Sequence, residues 1–138
     1  MQLLAEKAAV VTGATNGIGR AIALTFAEHG ADVVIADLEE EPAKDVPPTA
    51  EAIEAETDAS AVFAECDVTD YDQVDAAVAA ADAFGGVDVM VNNAGVGGHH
   101  GDYLEGDPYE DWRRVMQINA RGVYFGSRAA GERMLETG

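Results

Sequence analysis

Thr12-Gly13-Ala14-Thr15-Asn16-Gly17-Ile18-Gly19 lies between an apolar run, Ala8 to Thr12, and an amphipathic stretch from Gly17 to about Glu28. A glycine-rich turn that feeds a helix N-terminus gathers unpaired backbone N–H groups around a small hollow. Those donors and the positive end of the helix dipole suit a pyrophosphate. Eighteen positions after Gly19, Asp37 closes a second apolar run, Asp32 to Asp37. A carboxylate at that distance, on the end of the next strand, is placed to accept from ribose hydroxyls. The two features together predict dinucleotide binding.

The remaining pattern is that of a parallel α/β sheet, with short apolar runs alternating with longer helical ones. In the first helix Ile18, Ile22 and Phe26 recur at helical spacing, and His29-Gly30 closes it. From Glu39 to Thr57 the chain is polar and carries Pro42, Pro47 and Pro48. This predicts a short helix, a proline-broken loop and a second helical piece from about Thr49 to Ala55. Ala61 to Cys66 reads as the third strand, and Thr69 or Asp70 as the cap of a helix reaching about Phe84. Gly85-Gly86 ends that helix and Val87 to Val91 reads as the fourth strand. A glycine-rich loop, Gly95 to Gly106, then leads to a last helix from about Pro108 to Leu135, with Asp107 as its cap. A strand order of 3-2-1-4 follows, with a topological switch between strands 1 and 4 where ligands bind. The 138 residues are read as a single nucleotide-binding domain.

Composition narrows the partners. The chain carries 26 acidic and 8 basic residues, a net charge of −18, which opposes binding to nucleic acid or an anionic membrane. No apolar run approaches the ~20 residues of a membrane span, and the first residues lack the basic and apolar blocks of a signal peptide. The single Cys66 excludes an internal disulfide and a cysteine-based zinc site, and reads as a buried reduced thiol in a cytoplasmic protein. No metal site is expected. His99-His100 with Asp102 are adjacent loop residues whose side chains diverge.

The glycine spacing departs from the G-x-G-x-x-G form. It resembles the T-G-x-x-x-G-x-G turn of the short-chain dehydrogenase/reductase family. Three further elements match in order: Asp67-Val68 after strand 3, Asn92-Asn93-Ala94-Gly95 after strand 4, and Asn119 inside the last helix. The resemblance implies a Rossmann-type parallel sheet with helices on both faces, lacking the C-terminal strands of the full fold. It also implies a function: an oxidoreductase moving a hydride between a nicotinamide cofactor and a carbonyl or secondary alcohol.

The site residues it implies begin at the turn, where Gly13, Gly17 and Gly19 let the backbone approach the pyrophosphate, with Thr15, Asn16 and Ile18 beside them. Asp37 and Leu38 would meet the adenosine ribose, and Asp67 with Val68 would flank the adenine. Asn93, Ala94 and Gly95 would pass beside the cofactor ribose. Asn119, the one catalytic position present, distorts its helix in the family and holds a water in the proton relay. No cation adjoins Asp37, so NAD is expected over NADP. A Rossmann-like methyltransferase has a similar glycine loop and strand-end acid, but no matching role for Asn92 to Gly95 or Asn119.

The family's Tyr-x-x-x-Lys pair is missing. Four positions on from Tyr71, Tyr103, Tyr109 and Tyr124 stand Asp75, Asp107, Arg113 and Arg128, and no lysine follows Lys44. The chain is therefore expected to be the cofactor half of a longer enzyme, inactive alone; an inactive nucleotide-binding remnant or sensor is the alternative. Five of the six arginines lie on the last helix, and Arg114, Arg121 and Arg128 repeat every seven. Glu110 is expected to pair with Arg114, and Trp112, Val115 and Val123 to pack into the core. Gly122 and Gly126 would permit close helix packing. This helix resembles the one that pairs subunits in the family, so a homo-oligomer through residues 108–135 is expected of the full enzyme.

Acidic residues scattered along the chain, with only Lys7 and Lys44 as lysines, resemble the surfaces of proteins from salt-loving organisms, where salt screens self-repulsion. The chain should melt at a higher temperature in multimolar KCl than at low salt. Equal melting temperatures would refute this reading.

Overall fold

The computed structural model describes residues 1–97 and 104–137. His99, His100, Asp102 and Tyr103 lie outside the described residues, as does part of the Gly95 to Gly106 loop. The elements run β1 (Ala8–Thr12), α1 (Gly17–Glu28), β2 (Asp32–Asp37), α2 (Thr49–Glu56), β3 (Ala61–Glu65), α3 (Tyr71–Ala79), β4 (Val89–Val91), α4 (Pro108–Met116) and α5 (Gly122–Thr137). All four strands are parallel, in the order β3-β2-β1-β4.

β1 is buried along its whole length because it has a strand on each side and helices on each face. Successive side chains alternate between the faces. Ala8 and Val10, with Val34 and Ala36 of β2, pack against Val74, Val78, Ala129 and Ala130 of α3 and α5. Val11, with Val33 and Ile35, packs against Ala23 and Ala27 of α1 and Ile53 of α2. Small residues dominate the inner faces of the helices, so they approach the sheet closely. Asp70 caps α3 by accepting from the Asp72 and Gln73 amides, and a 3₁₀ turn over Ala80–Phe84 extends that helix until Gly85 ends it at φ +97°.

Two expectations of secondary structure change. No short helix forms after Glu39; residues 39–48 run as an irregular loop. Beyond the prolines, the reason is tertiary. The Ala43 amide donates to Asn16 Oδ1 (2.7 Å) and the Glu39 carbonyl accepts from Thr15 Oγ1 (2.6 Å), so the loop spends these groups on the glycine turn. β4 begins at Val89, not Val87, because Asp88 Oδ2 takes the Ala8 amide (2.9 Å) in place of a backbone carbonyl. The last helix contains a π turn over Gln117–Arg121, where the Gly122 amide reaches back to the Gln117 carbonyl.

α5 turns Gly122, Gly126, Ala129 and Ala130 inward, at i, i+4, i+7 and i+8. Gly122 meets Val68, and Gly126 meets Asn92 and Met90, so both glycines serve packing within this chain. The larger residues are left outside. Trp112 is 69% and Val123 36% exposed, contrary to the expected core positions, while Val115 is half-buried. Glu110 pairs with Arg113 (2.7 Å) rather than Arg114.

A Cβ on Gly126 would overlap Asn92 Oδ1, whose own carboxamide donates to Ser127 Oγ (3.1 Å). Gly131 on the same helix faces open space. Gly126→Ala should therefore cost about 1–3 kcal/mol through overpacking, whereas Gly131→Ala should stabilise by up to about 1 kcal/mol through lost chain entropy. Urea unfolding of the two variants checks this. Equal effects would contradict the packing described.

Candidate functional site

A cleft of about 430 Å³ lies over the carboxyl ends of the four strands, where β1 and β4 part. Its lining includes Gly13, Asn16, Gly17, Ile18, Asp37, Leu38, Asp67, Val68, Asn93, Ala94 and Gly95. Every residue expected to touch a cofactor is therefore on this wall except Thr15 and Gly19, which lie behind it. Cys66, Val96 and Ile118 also line the cleft and were not anticipated.

The glycine turn owes its shape to two positive φ angles, +67° at Gly13 and +57° at Gly17. A Cβ on Gly17 would meet nothing, so that glycine faces open space. Gly19 differs from the expectation of a backbone approach to ligand. A Cβ there would overlap the Gly13 carbonyl and the Asn93 carboxamide, so its bareness serves the close packing of α1 under the turn. Beside the turn Ile18 is 75% and Leu38 62% exposed, two apolar side chains at the rim of the cleft.

Asp37 is held from two sides. Oδ2 accepts from the Thr15 amide (3.0 Å) and Oδ1 from the Leu38 amide (2.7 Å), which fixes the carboxylate at the mouth. Across the cleft, Asp67 Oδ1 accepts from both the amide (2.9 Å) and the hydroxyl (2.7 Å) of Thr69, a local turn that shapes the end of β3.

The gap between β1 and β4 leaves main-chain groups without a ladder partner, and two side chains fill the deficit. Thr12 Oγ1 accepts from the Asn93 and Ala94 amides (3.0 Å each) and donates to the Val91 carbonyl (3.4 Å). Asn93 Nδ2 donates to the Thr12 (3.1 Å) and Gly13 (3.3 Å) carbonyls. Thr12 opens the glycine motif, yet only the structure shows its hydroxyl as the joint.

Asn119 lies in the π turn and binds the segment after β4. Its Oδ1 accepts from the Val96 amide (2.8 Å) and its Nδ2 donates to the Val96 carbonyl (2.7 Å), the pairing a neighbouring strand would offer. Arg114 adds a bond to the Gly97 carbonyl (3.3 Å). Among the described residues no cluster of three His, Cys, Asp or Glu side chains is arranged to hold a metal ion. No helix among them is long and apolar enough to cross a membrane.

The model of the short chain dehydrogenase family matches residues 7–138. The chain belongs to that family. It is 40% identical to trans-4-hydroxycyclohexanecarboxylate dehydrogenase of Sinomonas cyclohexanicum, covering 98% of this chain and 52% of that protein. It is 41% identical to the 2,5-dichloro-2,5-cyclohexadiene-1,4-diol dehydrogenase of Sphingobium indicum, covering 98% and 52%. Among solved structures, a short-chain type dehydrogenase/reductase from Mycobacterium marinum superposes with a TM-score of 0.84 at 32% identity, over 97% of this chain and 51% of that one. The chain spans about half the length of the curated relatives it matches.

Among the described residues that line the cleft, Cys66 carries the one thiol. Burial first, and then the negative charges of Asp67, Asp37 and Asp70, push its thiol up to about 11. The folded chain holds that proton more tightly than the unfolded one. Its contribution to stability is thus complete below the ordinary value of 9.0 and falls as pH rises towards about 11. The native thiol should resist iodoacetamide at pH 8 while the urea-unfolded chain is labelled completely. Rapid stoichiometric labelling of the native chain would contradict this placement.

Proposed function

We propose that the cleft binds NAD(H) and that these residues are the cofactor half of an oxidoreductase acting on a carbonyl or secondary alcohol. The observation that carries the choice of cofactor is Asp37. Its carboxylate is fixed at the mouth, and no lysine or arginine stands among the described lining residues to receive a 2′-phosphate. A ribose diol donates to such a carboxylate; a phosphate dianion is repelled by it.

The residues present fit a dinucleotide. Gly17 leaves the space in front of the α1 N-terminus open for a pyrophosphate, and Gly13 keeps the turn low. Ile18 and Leu38 offer exposed apolar surface, and Val68 with Asp67 bounds the opposite wall as an adenine would require. Asn93, Ala94 and Gly95 carry the main chain past the second ribose. A bound nicotinamide supplies the hydride acceptor or donor. Asn119 pairs both polar atoms of its carboxamide with Val96, so its part is to position the wall after β4.

Small-molecule alcohols or carbonyls are the substrates proposed, in keeping with relatives named as dehydrogenases of cyclohexane and cyclohexadiene alcohols. Subunit pairing is proposed through the outer face of α4 and α5, where Trp112, Met116, Val123 and Tyr124 are exposed.

Fluorescence titration should show NADH binding more tightly than NADPH, with Asp37→Ala narrowing the difference by about tenfold, the worth of one near charge. Tighter binding of NADPH to the unaltered chain would overturn the assignment. The 138-residue chain with NAD and a secondary alcohol should show no hydride transfer, and measurable turnover would show that it needs no Tyr-x-x-x-Lys.

A further inference from the structure

The loop from Leu38 to Pro48 has the composition of a mobile connection: three consecutive glutamates, three prolines, and Asp45 beside Lys44. It is nevertheless fastened to the glycine turn at its start, middle and end. At the start the Glu39 carbonyl accepts from Thr15 Oγ1 (2.6 Å). At the end, just past the loop, Thr49 Oγ1 donates to the Ala14 carbonyl (2.8 Å) and accepts from Arg20 Nη1 (3.0 Å). Thr15 and Thr49 are both 1% exposed, so these two ties are buried. The middle has one tie, the Ala43 amide on Asn16 Oδ1 (2.7 Å), and Asn16 is itself exposed on the cleft wall.

We propose that Asn16 is a positioning residue for cofactor selection: a latch that holds the acidic 39–45 segment against the glycine turn beside Asp37. The inference rests on the NAD(H) reading of the cleft. Its physical basis is that repulsion rejects a phosphate only while the charges stay where they are. Glu39, Glu40 and Glu41 follow directly on Asp37 and Leu38. If the loop were free to swing, it would carry those acids away and open room beside the ribose. With its middle latched to the turn that would hold the pyrophosphate, the acids and the phosphate pocket become one rigid body. Selection against a 2′-phosphate then has two parts, the charge of Asp37 and the fixed position of the loop behind it. Asn16 contributes the second part without any charge of its own.

The test uses Asn16→Ala and Asn16→Asp in the full 138-residue chain. NADH and NADPH affinities are read by fluorescence, and exchange of the Ala43 amide by hydrogen–deuterium exchange. Asn16→Ala changes no charge, so selection by charge alone leaves the NADPH-to-NADH ratio where it was. The latch predicts faster exchange at Ala43 and a ratio reduced roughly fivefold, the worth of one hydrogen bond. Asn16→Asp keeps an acceptor for the Ala43 amide and should restore slow exchange at Ala43; its added charge bars it from the discrimination readout. Faster exchange with an unchanged ratio, or no change in either, overturns the latch while leaving the NAD(H) reading intact. A chain that binds neither dinucleotide overturns that reading and the latch with it.

Discussion

Two parallel strands that separate must leave hydrogen-bonding groups behind, and unpaired buried groups are costly. The site depends on how this chain meets that constraint between β1 and β4. The Thr12 hydroxyl accepts from two successive amides beyond β4, while the Asn93 carboxamide covers two carbonyls at the end of β1. The strands can thus diverge into a cleft with their last polar groups still satisfied. Gly19 completes the joint, because only a bare Cα lets α1 settle under the Gly13 carbonyl and the Asn93 side chain.

The far wall of the cleft is secured from the last helix rather than from the sheet. Asn119 pairs with Val96 as a strand would, and Arg114 takes the Gly97 carbonyl. Arg121 donates to the Thr69 carbonyl (3.2 Å), at the turn after β3, and lies over the Phe125 ring at 5.3 Å. One helix therefore holds two of the loops that border the cleft. A π turn at Gln117–Arg121 interrupts this helix. Val115 before it, Ile118 within it and Gly122, Gly126 and Ala129 after it turn toward the chain at continuous helical spacing.

What the sequence reveals depends on how local the deciding contacts are. Strands buried on both faces, such as Val33 to Ala36, read as unbroken apolar runs, and the glycine spacing with Asp37 marked the cleft before any coordinates. Strand order followed from the same pattern. The misreadings lie where distant contacts outweigh local preference. Trp112 and Val123 are expected in the core, but the inward positions of α5 need residues small enough to meet Val68 and Asn92. A short helix is expected after Glu39, but amide and carbonyl groups there find partners on the glycine turn, more than twenty residues away in sequence. The role of the Thr12 hydroxyl was invisible for the same reason, since its partners are about eighty residues on.

The charge distribution gives the proposed site its particular physics. A chain of net charge −18 repels an anionic dinucleotide at long range, and the described lining offers no lysine or arginine in compensation. Attraction has to come at short range, from main-chain N–H dipoles at the α1 N-terminus, which carry no net charge. The arginines that might have supplied it are spent elsewhere. Arg20 holds Thr49, Arg133 bridges to Asp75 and Asp82 at 3.4 Å each, and Arg114 and Arg121 bind carbonyls at the edge of the cleft. Those four arginines thus serve architecture, which in the proposed site leaves recognition to neutral donors and one fixed carboxylate. Such a site gains selectivity from geometry, because a neutral cradle discriminates only while its members hold their positions.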